Sequence, residues 1–444
     1  MYINFQALGC RLNEAELETW ANQFMQLGHQ VTTDAAEADV VVFNSCAVTA
    51  QADRKSRQQI ARLQRSNPAA SLVVTGCHAS LNPQAVKSSL GVDLVVDNQC
   101  KEQLVERTLQ LLGDASAAGP LSRAQDAGLP SALLLRGRHR GFIEIQDGCR
   151  YRCTYCIVTI ARGAERSRSE AEIISEINAL HRQGVQEIAL TGVHVGGYGS
   201  DTGSSLHSLL RQILEHTDIP RIRLASVEPW DLAPNFFELF ENPRLMPHMH
   251  LPIQSGCDSV LRRMARRCKT AEFARLVDQA RSALPLFNVT TDLIAGFPGE
   301  TEQEWRQTME FIASVGFGHM HIFPFSARAG TKAARLPDQL DGAVKKARSR
   351  EIHLLAAELK RRELSRHPGT RAEVLWEQQI NADSGQWTGY TPHYHKIVST
   401  DPGIRASTIS QVSIDAVSSD ATMLVNSGPA AQQVTLADIG RHDA

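Results

Sequence analysis

Three cysteines, Cys149, Cys153 and Cys156, stand as CxxxCxxC in the run IEIQDGCRYRCTYCIV. Thiolates at this spacing can each take one iron of a cubane cluster and leave the fourth iron open. An open iron can bind the amino and carboxylate groups of S-adenosylmethionine (SAM). An electron passed into the sulfonium then breaks a carbon–sulfur bond and releases a 5′-deoxyadenosyl radical. Structural zinc is the alternative. It usually takes four ligands, commonly as CxxC pairs, and the sequence offers no fourth partner nearby.

A second triad is less obvious. Cys10 follows the expected strand Tyr2–Ala7, Cys46 follows Val40–Asn44, and Cys77 follows Ser71–Thr75. In a parallel sheet all strands end at one edge, the edge where ligands bind. Three cysteines far apart in the chain thus converge on one place. Gly9 and Gly76 precede two of them and let the backbone turn closely around a cluster. The alternative is three unrelated core cysteines. Cys100, Cys257 and Cys268 lack this placement and read as structural.

The elements that must position these residues fall into segments. Residues 1–113 alternate short apolar strands, including Val92–Val96, with helices such as the amphipathic Asn13–Leu27, which repeats Leu17, Trp20, Phe24 and Leu27. This alternation implies an α/β domain on a parallel sheet. Residues 114–134 are rich in Gly, Ala, Ser and Pro and read as a linker, followed by Arg136, Arg138, His139 and Arg140. Six strand–helix units follow, on strands Phe142–Gln146, Gln186–Thr191, Arg221–Ser226, His250–Gln254, Asn288–Ala295 and His319–Phe325. That is too few for a closed eight-fold barrel and predicts an open (β/α)6 partial barrel over 135–366, closing with a charged helix over Gly342–Arg366. Residues 368–444 alternate short β-rich runs (AEVLWE, HKIVST, TMLVN, QQVTL) with turn residues and predict a small all-β domain.

Composition sets the bounds. The 444 residues allow two to four domains, and the net charge of −2 gives no global sign of a nucleic-acid partner. No apolar run is long enough to span a membrane. The start, MYINFQALGC, lacks the basic and apolar regions of a signal peptide, so a cytoplasmic location is expected, where nine cysteines stay reduced.

With both triads placed, the chain resembles the methylthiotransferase family of radical SAM enzymes over nearly its full length. The resemblance rests on GCRLNEAE, NSCAVT, TGCHAS and GCRYRCTYCIVTIARGAERSR, with Tyr155 before the last cysteine. It continues through LTGVHVGGYG, LPIQSG, TDLIAGFPGET and PFSARAGT, and GYTPHYHKIV looks like part of an RNA-binding TRAM domain. The resemblance implies two 4Fe-4S clusters, an auxiliary one on Cys10, Cys46 and Cys77 and a catalytic one on Cys149, Cys153 and Cys156. One SAM would methylate a sulfur held at the auxiliary cluster, and a second would yield the radical that activates the target carbon. Thr191, Gly192 and His194 match the segment that meets the SAM amino group, and Ser226, Glu228 and Gln254 lie at strand ends suited to its ribose and carboxylate.

The implied partners are a tRNA anticodon stem-loop, an electron donor such as a flavodoxin or ferredoxin, and a sulfur donor. The segment LTGVHVGGYG resembles the branch acting on N6-threonylcarbamoyladenosine at carbon 2, with His194, Arg162, Arg166 and Arg168 as candidate partners of its carboxylate and hydroxyl. Alternatives are an isopentenyladenosine tRNA, a ribosomal-protein aspartate, or a non-catalytic RNA-binding iron–sulfur protein. Two departures stand out. Cys257 replaces the serine expected after PIQSG, and residues 370–444 carry only Arg371, Lys396, Arg405 and Arg441 against eight acidic residues. Basic residues concentrate instead in 136–140, 262–269 and 345–366.

Overall fold

The computed structural model describes residues 1–88, 91–113, 131–381 and 384–428. It divides into two compact units, Met1–Ile219 with Ser326–Arg335, and Pro220–Phe325 with Leu336–Ala444.

The first unit opens on β1 (Tyr2–Ala7), β2 (Gln30–Thr32), β3 (Val40–Ser45), β4 (Ser71–Thr75) and β5 (Leu94–Val95), which form a parallel sheet in the order β2-β1-β3-β4-β5. Val40 and Val42 enter one core with Trp20, Phe24 and Leu104. Val41 and Phe43 enter the other with Ile60 and Leu63. Burial on both faces is why β3 is apolar at successive positions. The fifth strand is shorter than the expected Val92–Val96, although Val96 is buried.

Helix α1 (Arg11–Gln26) buries most of its surface, Glu16, Glu18 and Asn22 included. The amphipathic stripe expected for it is only part of its contact. Helix α2 (Ala50–Ser66) is the one-sided case, burying Ser56, Ile60 and Leu63, and the Thr49 hydroxyl accepts from Ala52 N at 3.0 Å as its N-cap. Helix α3 (Gly76–Leu81) starts directly from β4. Residues 114–130 of the expected linker lie outside the described residues. Ala132–Leu135, within and just beyond that linker, is a helical turn whose Ala132 joins the sheet core.

In the same unit β6 (Gly141–Asp147) pairs antiparallel with β7 (Arg166–Ser167) and parallel with β8 (Glu187–Gly192). The helix Glu170–Arg182 between β7 and β8 buries Ile173, Ile177 and Leu180.

The second unit holds β9 (Arg221–Leu224), β10 (His248–His250), β11 (Asn288–Ala295) and β12 (His319–Pro324), the last three a parallel sheet. The strand expected at His250–Gln254 is therefore displaced: it ends where it was expected to begin. Beyond it the backbone turns irregular, with Gln254 at φ +73° and a single bridge to Leu293. A capping box opens the helix Glu302–Val315: Thr301 N donates to Glu304, and Glu304 N to the Thr301 hydroxyl, at 2.9 and 3.2 Å.

After the helix Gly342–Leu364 come β13 (Arg371–Asn381), β14 (Gln386–Tyr390), β15 (Lys396–Ser399), β16 (Ile409–Ser413), β17 (Ala416–Val417) and β18 (Leu424–Asn426). They form one sheet, β16-β13-β14-β15-β18-β17, antiparallel except between β15 and β18. Its core contains Val374, Trp376, Ile397 and Leu424. The run QQVTL lies outside the described residues. Buried Arg221 and Arg223 of β9 fan onto the carbonyls of Glu373, Tyr390, Thr391 and Pro392 at 2.7–3.3 Å.

Candidate functional site

Each N-terminal cysteine sits where the sequence places it, past the end of a parallel strand. Cys10 is the N-cap of α1, Cys46 follows β3, and Cys77 lies in the first turn of α3. The segments pass very close to one another. A Cβ built on Gly9, at φ +113°, would fall 2.7 Å from the Cys46 sulfur. One on Gly76, at φ +90°, would fall 2.4 Å from the Ser45 carbonyl oxygen. Only glycine permits this approach.

Burial pushes the Cys46 thiol up to about 12, and the neighbouring Cys10 and Cys77 push the same way. Thiols that hinder one another's ionisation in this manner suit a cationic iron cluster, since ligation takes the thiolate form. Side chains around them fix the loops. Cys10 Sγ lies 3.5 Å from Asn13 Oδ1, and the Ser56 hydroxyl bonds both N and O of Cys46 at 3.0 and 2.8 Å.

The second triad lies in the loop after β6, with all three cysteines half-buried. Gly148, at φ +73°, turns the chain into it; a Cβ there would meet Ala164 O at 1.9 Å. Cys149 N donates to Gly163 O at 3.1 Å and Cys156 N to Cys153 O at 3.0 Å. Burial raises the Cys149 thiol to about 12, and the proximity of Cys156, Glu165 and Cys153 adds to it. The three cysteines border a cleft of about 590 Å³, within the size range of small-ligand sites. Arg150, Arg152, Lys332 and Arg335 also line it, and no carboxylate does so among the described residues. Three half-buried cysteines beside an open cleft fit a cluster with one reachable iron.

The two triads are joined by protein. Cys77 packs with Ala47, Leu81 and Ala161, the last in the short helix Val158–Arg162 that follows the CxxxCxxC loop. Asn98 Nδ2 donates to Ala161 O at 2.9 Å. The next residue, Arg162, is 1% exposed. It donates to Asn13 Oδ1 at 2.8 Å, Glu16 at 2.8 Å and Asp147 at 3.0 Å. Lys101 Nζ meets Glu16, Glu144 and Asp147 at 2.6–2.8 Å. Burial alone would raise the Glu16 carboxyl, but Arg162 and Lys101 hold it below the usual range. This buried network reaches the surroundings of Cys10 through Asn13 and those of Cys149 through Asp147.

The expected SAM segment is held by Gln146. Its Oε1 accepts from His194 N at 2.8 Å, and its Nε2 donates to Gly148 O at 2.6 Å. Gly192 is required there, since a Cβ would lie 2.6 Å from Gln146 O. Thr191 and His194 are buried at 2% and 1%, and Tyr155 is half-buried between Cys153 and Cys156. His194 Nδ1 bonds Glu165, and its ring meets Tyr151 edge-on at 4.8 Å. Glu165 also pairs with Arg150 at 3.2 Å. Ser226, Glu228 and Gln254 belong to the second unit. There Glu228 pairs with Arg266 at 2.8 Å, Ser226 bridges to His250, and Gln254 is 8% exposed.

Two of the arginines expected to meet a substrate are otherwise occupied. Arg162 is buried in the network above, and Arg168 donates to Glu144 O at 2.6 Å and forms an ion pair with Glu176 at 2.7 Å. Arg166 pairs with Asp147 at 3.1 Å but leaves 45% of its side chain exposed. Cys257 is 4% exposed, with its sulfur 3.0 Å from Gln307 Oε1 and 3.1 Å from the Ser259 hydroxyl, as a structural cysteine should be.

The sequence reading missed Gln146, Glu165 and the Glu16–Lys101–Asp147–Arg162 network. The signal for part of it was there: Asn13 and Glu16 fall three and six residues after Cys10 in one helix.

Comparison with known proteins returns two family matches. Residues 2–97 match the family described as Uncharacterized protein family UPF0004, and residues 143–312 match the Radical SAM superfamily. The chain is 35% identical over 404 residues to the Threonylcarbamoyladenosine tRNA methylthiotransferase MtaB of Bacillus subtilis (strain 168), covering 89% of this chain and 90% of that one. It is 33% identical over 394 residues to the tRNA-2-methylthio-N(6)-dimethylallyladenosine synthase of Bacillus velezensis, covering 86% and 77%. Among solved structures, the radical SAM methyltransferase TsrM from Kitasatospora setae, with cobalamin and a [4Fe-4S] cluster bound, shares the fold at TM-score 0.56 and 17% identity over 73% of this chain and 74% of that one. The expected α/β architecture with its radical SAM core is the fold these comparisons return.

Proposed function

The chain belongs to the methylthiotransferase family of radical SAM enzymes, and from that premise we propose that it methylthiolates N6-threonylcarbamoyladenosine beside the tRNA anticodon, at carbon 2 of the adenine. Cys149, Cys153 and Cys156 would hold the cluster that works with SAM, and Cys10, Cys46 and Cys77 the auxiliary one. When bound, these groups supply the radical and the methylthio unit. Gln146 orients the Thr191–His194 segment, and Glu165 fixes the His194 ring. Segments 1–113, 135–366 and 368–444 act in this reading as auxiliary-cluster domain, radical core and TRAM-like tRNA-binding domain.

The observation that carries the substrate choice is the cationic lining of the cleft. Arg150, Arg152, Lys332 and Arg335 stand beside the catalytic triad with no acid among the lining residues. SAM brings one carboxylate, and a threonylcarbamoyl group brings another that needs charged partners once desolvated. An isopentenyl group would call for an apolar slot. A flavodoxin- or ferredoxin-type reductant and a separate sulfur donor complete the reading, which places the enzyme with its tRNA in the cytoplasm. Among the described residues no helix is long and apolar enough to cross a membrane.

The test supplies the reduced enzyme with tRNA bearing either modified adenosine and measures nucleoside masses. The methylthio mass is expected on the threonylcarbamoyl tRNA. Product on the isopentenyl tRNA alone, or on a ribosomal protein alone, would overturn the substrate and leave the chemistry standing.

A further inference from the structure

In the second unit, the C-terminal end of the helix Gly342–Leu364 meets the loop between β14 and β15. Glu363, His367 and His395 converge there, exposed by only 8%, 1% and 5%. Their ligand atoms all lie within 4.8 Å of one another. Glu363 Oε1 is 3.6 Å from His367 Nε2 and 3.7 Å from His395 Nε2. All three atoms are buried and lack a hydrogen-bond partner, as does the nearby His393 Nδ1. Buried polar atoms are seldom left so, and a group of them facing one another calls for a ligand.

The spacing indicates which ligand. It is too long for hydrogen bonds. Two ligands on one tetrahedral zinc, with bonds of about 2.0–2.1 Å, stand about 3.4 Å apart. The surroundings hold the donors in place. Arg366 Nη1 takes the other carboxylate oxygen, Oε2, at 2.7 Å and leaves Oε1 to face the imidazoles. Thr391 bonds the backbone of His395 on both sides, at 3.0 and 3.2 Å. The His393 ring lies 5.4 Å from that of His367.

We propose that Glu363, His367 and His395 bind one divalent transition-metal ion, zinc by the chemistry of the donors, with the neighbouring His393 a candidate for the fourth ligand. The nitrogen and carboxylate donor set and closed surroundings fit a structural tetrahedral site. Such an ion fastens the helix end to the loop whose carbonyls Arg221 and Arg223 grip, so it secures the C-terminal sheet to β9 within this unit. The site owes nothing to the cysteine triads or to the proposed substrate.

The full chain with both clusters reconstituted is incubated with equimolar zinc sulfate, desalted, and assayed for iron and zinc by plasma mass spectrometry. About one zinc per chain is expected, with an X-ray absorption spectrum showing nitrogen and oxygen neighbours only. The pair His367→Asn with His395→Leu, and Glu363→Gln alone, should each lower zinc at least tenfold with iron unchanged. Zinc below about a tenth per chain in the parent protein, zinc retained in the histidine pair, or sulfur neighbours in the spectrum would each overturn the site. The parent protein's spectrum decides the matter even where a variant fails to fold.

Discussion

Single residues divide into those proposed to hold metal and those that hold them in place. Replacing Cys10, Cys46 and Cys77 together by Ala removes only the ligands proposed for the auxiliary cluster. That variant is expected to cleave SAM within about twofold of the parent rate and to form no methylthio nucleoside. Chromatography of 5′-deoxyadenosine and of tRNA digests checks both, and product from the triple variant would mean the auxiliary site is elsewhere. Glu18 is a different case. It is 6% exposed and accepts from Phe142 N at 3.2 Å, and burial raises its carboxyl from 4.5 to about 8. Between those values the folded chain keeps a proton that the unfolded chain has released, so stability falls as pH rises, by up to about 1.4 kcal/mol per unit. Glu18→Gln removes that slope. It should raise the melting temperature by about 2–4 °C or more at pH 8 and leave it nearly unchanged at pH 5. Equal shifts at both pH values would count against the buried proton.

At the scale of elements, α1 ties the two triads together through Asn13 and Glu16. Arg162→Met would leave Glu16 and Asp147 short of a buried partner, a loss of about 3–5 kcal/mol. Urea unfolding followed by the fluorescence of Trp20 and the other tryptophans should show it, and a change under about 1 kcal/mol would mean that Lys101 suffices alone. The same helix shows where the sequence was legible and where it was not. β1, β4 and β11 match their expected ends because each is an apolar run bounded by turn residues. The places of Cys10, Cys46 and Cys77 followed from the rule that parallel strands end at one edge, while Cys149, Cys153 and Cys156 were legible from their spacing alone. But an amphipathic pattern reports only the apolar contacts of a helix. Glu16, Glu18 and Asn22 are buried as well, and the partners of Glu16 and Glu18 lie more than 80 residues away: Lys101 and Arg162 for the first, Phe142 N for the second. Pairing at that range leaves no periodic trace. The β10 strand failed for a local reason: the apolar residues of LPIQSG are buried in irregular backbone, and burial alone does not make a strand.

At the scale of the molecule, the C-terminal sheet is part of the core of its unit. Arg221 and Arg223, each 1% exposed, take their partners from its carbonyls. A chain ending at Arg366 would strand both guanidinium groups. It should melt at least about 5 °C lower or aggregate, and a truncated chain with the parent melting curve would show the sheet to be a mere appendage. The chain's path has another consequence. Residues Ser326–Arg335 return to the first unit after more than a hundred residues spent in the second. There Arg328 pairs with Asp53 at 3.3 Å, Ala333 N bonds Thr154 O at 2.7 Å, and Gly330, Lys332 and Arg335 wall the cleft. Translation runs from the N-terminus, so the ribosome delivers Cys10, Cys46, Cys77 and Arg162 long before this wall exists. All three cysteines of the N-terminal triad are therefore synthesised long before the cleft beside Cys149, Cys153 and Cys156 can gain this wall.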